Sequence, residues 1–347
     1  MILMPATVVG SLPQPDWLVN KELMLKSQPP RVRLKAIWRV ADPYLEQAQD
    51  DATELAVRRQ DAIGLDIVSD GEIRRESYFN HFANALAGLD IDHPAEVEGR
   101  HGTRQIVPRV VGEIRRTRPV QLREVQYLRS ITSRPIKVTL PGAFTMMRLA
   151  KDEHYGERRA LLMAYAKALN EEIRDLKKAG ADVIQLDEPF VESFVDEAEE
   201  FAVEGINRSL QGIAGTTVVH VCFGYGHYVT IDKPNTYRFL APLNACAATQ
   251  ISIEAAQPRL DPAMLDLLPD KQVMYGVLDL KDHAVETAEV VAARIRQALE
   301  HVDPARLVIA PDCGLKYLPH EVAYGKLRAM VAGRDIVRAE LTGQAAP

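Results

Sequence analysis

The sequence has few cysteines, no long apolar run and no targeting segment. Its 347 residues include three cysteines, Cys222, Cys246 and Cys313. Three cysteines make a poor disulfide framework and are typical of a reducing cytoplasm, where they are free, metal-bound or catalytic. No stretch reaches the ~18 apolar residues of a membrane-spanning helix. The first residues lack the charged segment, apolar segment and cleavage site of a signal peptide. We therefore expect a cytoplasmic protein that does not span a membrane.

An excess of positive charge is also missing. The chain has 42 lysine and arginine residues against 48 aspartate and glutamate residues, which gives a formal net charge of −6. No cluster of basic residues marks a nucleic-acid-binding face, so we expect no nucleic-acid partner. Hydrophobic residues make up 47% of the chain, an ordinary fraction for a globular protein with a sizeable core.

The strongest pattern is an alternation of short apolar strands with helical segments. Strands are predicted at 6–11, 66–70, 136–140, 182–186, 217–222, 250–254, 273–279 and 307–314. Helices are predicted at 31–63, 157–178, 196–213, 235–247, 262–268, 285–301 and 321–341. Eight alternating units close into a barrel, so the sequence predicts an α/β protein with a (β/α)8 TIM-barrel fold. An open doubly wound sheet is the alternative, but no Gly-x-Gly-x-x-Gly motif follows the first strand.

Residues 76–133 do not follow this alternation. They contain a helix-like apolar piece at 78–86 and two alternating segments, at 105–114 and 120–128, which predict a β-hairpin. We interpret the segment as an insertion after the second strand, lying over one end of a single barrel domain that spans 1–347.

Polar or small residues occur where the predicted strands end. In a barrel, the active site lies at these carboxyl ends. The residues are Gly10-Ser11, Asp70-Gly71-Glu72, Pro141-Gly142, Asp187-Glu188, His220-Val221-Cys222, Glu254, Asp279 and Asp312-Cys313-Gly314. Carboxylates that cap helices explain only a few of them. We therefore expect this layer to form the functional site.

Four residues of this layer carry the donor atoms of a zinc site. His220 and Cys222 lie two residues apart on one strand, so their side chains point to the same face. With Cys313 and Glu254 they offer one nitrogen, two sulfurs and one oxygen from three strands. Two thiolates favour zinc over magnesium or calcium. Zinc lowers the pKa of a bound thiol, so such a site is predicted to activate a thiol as a nucleophile.

Other histidines and cysteines near the layer have simpler interpretations. Cys246 falls inside a predicted helix and is expected to be a small buried hydrophobe. His227 and Tyr225 follow the His-x-Cys strand. Contact with substrate and an ordinary structural or surface role both remain open for them.

Motifs along almost the whole chain resemble the catalytic domain of cobalamin-independent methionine synthase. Val9-Gly10-Ser11-Leu12-Pro13-Gln14 is similar to the opening Ile-Gly-Ser-Phe-Pro-Gln of that family, and Asp70-Gly71-Glu72 to its His-Gly-Glu. Ile184-Gln185-Leu186-Asp187-Glu188-Pro189 resembles its Ile-Gln-Ile-Asp-Glu-Pro. Its zinc-binding segments are similar to His220-Val221-Cys222, Ile251-Ser252-Ile253-Glu254 and Pro311-Asp312-Cys313-Gly314-Leu315-Lys316.

The resemblance implies a zinc-dependent methyltransferase that methylates the thiol of homocysteine to form methionine. The four candidate donors would hold Zn²⁺. Gly10 and Ser11 would bind the carboxylate of the amino acid. Glu72 and Asp187 would bind its ammonium group, because that cation needs carboxylates beside it just as the α-carboxylate needs hydrogen-bond donors. Both are also candidate catalytic residues.

Three departures from the family fall on the side of the methyl donor. The second, amino-terminal barrel of the long enzymes is not found in this sequence. Leu149 stands where the family has a tryptophan associated with the folate ring. Lys281 stands where the family has a histidine implicated in catalysis, which makes Lys281 a third candidate catalytic residue. The identity of the methyl donor stays open and could be methyltetrahydrofolate, a methylcorrinoid or another compound. The methyl group could also come from a partner protein that docks on the insertion.

Two alternative functions stay open at this point. The first is another zinc-dependent thiol alkyltransferase, such as one that opens an epoxide with coenzyme M. That thiol carries a sulfonate, which Glu72 and Asp187 would repel. The second is a zinc-stabilised barrel that binds a metabolite or partner without catalysis, since structural zinc sites take all four ligands from the protein.

Overall fold

The computed structural model describes residues 2–26, 30–224 and 232–343. Within them, ten strands are β1 (Val68–Ser69), β2 (Ala87–Glu98), β3 (Arg104–Arg115), β4 (Ile136–Pro141), β5 (Lys151–Asp152), β6 (Val183–Asp187), β7 (Thr216–Val221), β8 (Gln250–Ile253), β9 (Gln272–Gly276) and β10 (Leu307–Ala310). The α-helices of the same residues are α1 (Lys21–Lys26), α2 (Leu45–Ile63), α3 (Asn80–Ala83), α4 (Leu122–Ile131), α5 (Ala143–Arg148), α6 (Arg158–Lys178), α7 (Val195–Ser209), α8 (Leu240–Leu243), α9 (Ala288–Leu299) and α10 (His320–Thr342).

Seven strands form one parallel sheet in the order β1-β4-β6-β7-β8-β9-β10. The N-terminal segment contacts both outer strands of this sheet. Thr7 N donates to Ile309 O at 3.0 Å on the β10 side, and Asp66 N donates to Ala6 O at 2.9 Å on the β1 side. The sheet is therefore curled, and residues 5–7 bridge its two edges. In place of the strand predicted at 6–11, the structure has a single parallel bridge between Ala6 and Ile309.

The long helices follow the predicted pattern, and two other predictions are wrong. α6, α7 and α10 confirm the helices predicted at 157–178, 196–213 and 321–341. The helix predicted at 31–63 begins only at Leu45, because Pro43 lacks an amide donor and disfavours a helical conformation before it. The segment 235–247 contains only the four residues of α8.

The hairpin predicted from 105–114 and 120–128 is wrong, because the first of these segments pairs with an earlier strand and the second is largely helical. β3 pairs in antiparallel fashion with β2, and β5 joins β3 in parallel. Residues 120–128, predicted as a strand, belong largely to α4, in which Val125 and Leu128 are buried. Their spacing of three residues is that of a helix face. α4 contacts α2, α6 and β4, as a crossover helix between β1 and β4 does.

A buried lysine fixes the N-terminal segment against the inside of the sheet. Lys137 Nζ donates to Val9 O at 3.0 Å, to Gln185 Oε1 at 2.8 Å and to the carbonyl of Val8. Burial lowers the pKa of Lys137 to about 7. These bonds position the chain just before Gly10 and Ser11.

Within the described residues, no helix combines the length and the apolar character needed to cross a bilayer.

Glu172 on α6 connects the end of the hairpin to the body of the protein. Its buried carboxylate accepts hydrogen bonds from Val120 N at 3.1 and 3.0 Å, from Gln121 N at 2.7 Å and from Arg116 Nε at 2.5 Å. Removing one partner of a buried ion pair leaves the other charge desolvated without compensation.

We expect Glu172→Ala to lower the free energy of unfolding by about 3–5 kcal/mol. Chemical denaturation of the two proteins measures this difference. Glu199→Ala is the matched control, because Glu199 lies exposed on α7 and such surface changes stay within about 0.5 kcal/mol. Equal stability losses in both variants would contradict the assignment.

Candidate metal centre and substrate cavity

Three predicted ligands meet at the carboxyl edge of the sheet. His220 lies in β7, Cys222 follows that strand, and Cys313 follows β10. The Cys313 Sγ and His220 Nε2 atoms are 3.6 Å apart. One donor atom from each of the three residues lies within 4.8 Å of the others, and all three residues are buried. The curling of the sheet brings β7 and β10 close enough for this contact.

The orientation of His220 is set by the neighbouring strand. Its Nδ1 atom hydrogen-bonds to Ser252 Oγ of β8 at 2.9 Å, which leaves Nε2 directed at Cys313. A hydrogen bond on the second ring nitrogen is the usual way in which a metal-binding histidine is held. β7 and β8 therefore position the imidazole together.

The two thiols share a hydrogen bond and titrate as a pair. A hydrogen bond from Cys313, together with the nearby His220 imidazole, holds the pKa of Cys222 well below its ordinary value. The same hydrogen bond and burial raise the pKa of Cys313. The lowered pKa of Cys222 favours the thiolate, which is the form of cysteine that binds a metal.

The fourth predicted ligand, Glu254, is not part of this group of donor atoms. Its carboxylate accepts from Lys233 Nζ at 2.9 and 2.8 Å. Both side chains of this ion pair are buried, with 2% of Lys233 and none of Glu254 exposed. Burial raises the pKa of Glu254, and the Lys233 ammonium opposes that shift.

Asp312 orders the loop that follows Glu254. Its carboxylate accepts hydrogen bonds from Ala255 N at 3.1 Å, Ala256 N at 2.9 Å and Gln257 N at 2.6 Å. A Cβ atom at Gly276 would lie 2.3 Å from the Asp312 Oδ1 atom, so only glycine fits there. Asp312 has a structural function and connects the backbone beside Cys313 to the end of β8.

Glu72 approaches the N-terminal segment very closely. Thr139 Oγ1 donates to its Oε1 atom at 3.0 Å. Its buried Oε2 atom has no hydrogen-bond partner within the described residues. A Cβ atom at Gly10 would lie 2.7 Å from Oε1, so glycine at position 10 permits this approach. Burial raises the pKa of Glu72, and a cationic ligand would reverse that shift.

Asp187 is the second carboxylate beside the cluster. It ends β6, and Gln185 Nε2 donates to its Oδ1 atom at 2.7 Å. Burial raises the pKa of Asp187 to about 7, and the neighbouring Glu72 acts in the same direction. The two carboxylates therefore form an acidic region that a cation would stabilise.

A cavity that opens to solvent joins most of the predicted site residues. Its lining includes Gly10, Ser11, Glu72, Asp187, His220, Cys222 and Cys313. Lys281 is not part of the lining: 45% of its side chain is exposed, and its Nζ atom pairs with Asp232 at 2.7 Å. His227 and Tyr225 lie outside the described residues. The sequence analysis missed three lining residues, Arg31, Tyr78 and Arg100, because none of them follows a predicted strand.

Comparison with known proteins matches the chain along nearly its full length. Residues 4–334 match the family described as "Cobalamin-independent synthase, Catalytic domain". A methionine synthase from Sulfurisphaera tokodaii is 32% identical over 341 residues, which cover 98% of this chain and 94% of that protein. A methionine synthase from Sulfolobus acidocaldarius is 33% identical over 341 residues, with the same coverage of both chains.

A solved structure agrees with this match. The B12-independent methionine synthase from Shewanella sp. W3-18-1, in complex with selenomethionine, is 34% identical. It superposes with a TM-score of 0.89 over 99% of this chain and 100% of that chain. The extent of the sequence match and the shared fold lead to one conclusion: the chain belongs to the family of the catalytic domain of cobalamin-independent methionine synthase.

Proposed function

We propose that this protein is a zinc-dependent methyltransferase that forms methionine by transferring a methyl group to the thiol of homocysteine. The observation that carries the proposal is that one cavity is lined both by the His220, Cys222 and Cys313 cluster and by two buried carboxylates. The relatives named as methionine synthases and the selenomethionine in the Shewanella structure support it. Selenomethionine is the selenium analogue of the proposed product.

The donor set fits zinc. Zinc bonds of ~2.3 Å to sulfur and ~2.05 Å to nitrogen, at a tetrahedral angle, separate those two ligand atoms by about 3.6 Å. Cys313 Sγ and His220 Nε2 have that separation, 3.6 Å. Three protein ligands leave one position for a substrate, as in catalytic zinc sites. When bound, zinc would lower the pKa of a substrate thiol, so that the thiolate is present near neutral pH.

Glu254 is proposed as an exchangeable fourth ligand. In the structure its carboxylate is paired with Lys233. Glu254 could join the three clustered residues as a ligand only if its hydrogen bonds to Lys233 break. When a substrate thiol takes that ligand position, the carboxylate would pair with Lys233 again. Because Lys233 compensates the buried charge of Glu254, the carboxylate has a stable place away from the cluster.

Glu72 and Asp187 are proposed to hold the ammonium group of homocysteine. The Oε2 atom of Glu72 is a buried acceptor with no partner among the residues that the structure describes, and an ammonium donor would satisfy it. Thr139 and Gln185 fix the two carboxylates through their other hydrogen bonds. Gly10 and Ser11, in the same lining, are proposed to bind the α-carboxylate. In the transfer, sulfur forms a bond to the methyl carbon as the bond between that carbon and the donor breaks, and the electron pair stays with the donor.

The donor side of the site has less support from the geometry. Leu149 is fully buried, so it offers no face to a donor ring. Lys281 would have to leave Asp232 to reach the cavity, and its catalytic role stays a prediction. A partner protein that brings the donor and docks on the insertion is also proposed.

We also infer a single (β/α)8 barrel whose first position is residues 5–9, supported by the hydrogen bonds of residues 5–7 to both edges of the sheet. The insertion of this barrel would end before α4, at about residue 121, rather than at 133. The three free cysteines agree with a cytoplasmic location.

Alkylation of a sulfonate thiol remains the second candidate function. The observation in its favour is the presence of Arg31 and Arg100 in the cavity lining, because guanidinium groups bind sulfonates. Glu72 and Asp187 argue against it, since they suit an ammonium group. Direct competition between homocysteine and 2-mercaptoethanesulfonate for the zinc protein separates the two candidates.

We expect about one zinc per chain, and we expect Cys222→Ser or Cys313→Ser to remove most of it, because each change removes one of three clustered ligands. Cys246→Ser is the control and should keep its zinc, since Cys246 is outside the cluster. Metal analysis after dialysis gives the result. Full zinc content in both ligand variants would overturn the assignment.

We expect Glu72→Gln and Asp187→Asn to weaken homocysteine binding about ten- to a hundredfold, because a hydrogen bond to a charged group contributes about 1.5–3 kcal/mol. Calorimetry on the zinc-loaded variants measures this, and zinc content should not change. Glu199→Gln, on the surface of α7, is the control. Unchanged affinity in both site variants would instead favour the sulfonate thiol.

We expect the isolated zinc protein to turn over homocysteine with polyglutamyl methyltetrahydrofolate more slowly than about 1 per second, the low end of the typical range. Loss of an aromatic face removes about 1–3 kcal/mol of ring stacking, by analogy with nucleobases. A steady-state methionine assay measures the rate, and homocysteine binding in the same sample shows that the protein is competent. Turnover of about 1 per second or more would refute the expectation.

A further inference from the structure

Two arginines in the cavity lining have no task in the proposed reaction. Arg31 comes from the irregular segment before α2, and Arg100 lies in the turn between β2 and β3. Both residues are almost fully buried, with 5% and 3% of their surface exposed. Both guanidinium groups lie over the ring of Phe190, at 5.9 Å for Arg31 and 4.7 Å for Arg100. Two buried cations therefore converge on one wall of the cavity.

The hydrogen bonds of Arg31 leave part of its guanidinium unsatisfied. Nε donates to Gln105 Oε1 at 3.5 Å, a long hydrogen bond to a neutral group. Nη1 is buried and has no hydrogen-bond partner within the described residues. The aromatic rings of Tyr78 and Phe79, at 5.4 and 5.6 Å, stabilise the cation. A hydrogen bond also links the Tyr78 and Arg31 side chains, but the neutral phenol brings no negative charge to the guanidinium. A buried cation in this state is costly unless an anion joins it.

We propose that Arg31 and Arg100 form an anion-binding subsite of the cavity, which takes a carboxylate or phosphate group of a bound reactant. The planar guanidinium fork matches both groups. The cavity is then divided by charge, with a cation held at Glu72 and Asp187 and an anion held at the two arginines. The subsite rests on the proposed function, because its two sources of an anion are the α-carboxylate of homocysteine, which the arginines would share with Gly10 and Ser11, and an acidic group of the methyl donor.

Calorimetry on the zinc-loaded protein tests the first source. The ligands are L-homocysteine and 3-aminopropane-1-thiol, which is homocysteine without its carboxylate. The variants are Arg31→Gln and Arg100→Gln, and the matched control is Arg159→Gln, an exposed arginine of α6. If the carboxylate occupies the subsite, both site variants should bind homocysteine about ten- to a hundredfold more weakly and should bind the aminothiol like the parent.

The second source is tested on the protein saturated with homocysteine. Glutarate serves as a dicarboxylate probe without a methyl group to transfer. If the donor supplies the anion, homocysteine affinity stays unchanged in the variants, whereas glutarate binding falls at least tenfold in both and stays at the parent level in Arg159→Gln.

Two results overturn the proposal: unchanged affinities for homocysteine and glutarate, or an equal loss for homocysteine and the aminothiol. If Arg31→Gln fails to fold, Arg100→Gln provides the same comparison, and Arg31→Lys, which keeps the charge but not the planar fork, should lose less affinity than Arg100→Gln. Failure of the parent protein to bind zinc and homocysteine would instead refute the proposed function, so the two failures are distinguishable.

Discussion

Burial of charged groups at the carboxyl edge of the sheet is the constraint on which the site depends. Each carboxylate there has lost its water and needs donors from the protein. Glu188 receives them from Phe144 N at 2.9 Å and from the amide and hydroxyl of Thr145 at 2.8 and 2.7 Å. Asp312 receives three backbone amides. In the described part of the chain, one oxygen of Glu72 has no hydrogen-bond partner. Glu188 and Asp312, whose acceptors are satisfied by the protein, therefore stabilise the fold, whereas Glu72 has an oxygen available to a ligand.

The fold could be predicted wherever periodicity was strong. α6, α7 and α10 are long helices with many buried positions, so tertiary packing reinforces the pattern that the sequence shows. The pattern failed where it was short. Residues 120–128 begin with Val120 and Leu122, two positions that alternate as in a strand, and only the burial of Val125 and Leu128 identifies the helix. Within 31–44 the structure has only a short 3-10 helix, Lys35–Ile37, and contacts with other segments hold this stretch, such as the hydrogen bond from Leu34 N to the Glu76 carboxylate.

The cluster residues could be predicted because they follow regular strands. The end of a parallel strand fixes where its next side chain lies, so His220, Cys222 and Cys313 were found without a structure. Lys233, Arg31 and Arg100 come from irregular segments, whose position depends on tertiary packing. Lys233 is the partner that keeps Glu254 apart from the three donors, and no sequence pattern reveals it. The sequence therefore indicated the chemistry of the cluster, whereas only the three-dimensional structure shows that Arg31 and Arg100 line the cavity.

The bridge between the N-terminal segment and β10 has a consequence for biosynthesis. A ribosome makes Thr7 long before Ile309, so the two edges of the sheet stay unjoined until β10 has been synthesised. Open strand edges are sites of aggregation, and contacts between distant parts of a chain form slowly. Cys313 emerges directly after β10, so the cluster cannot assemble before the edges can join. Assembly of the cluster would thus report that both edges of the sheet have been synthesised.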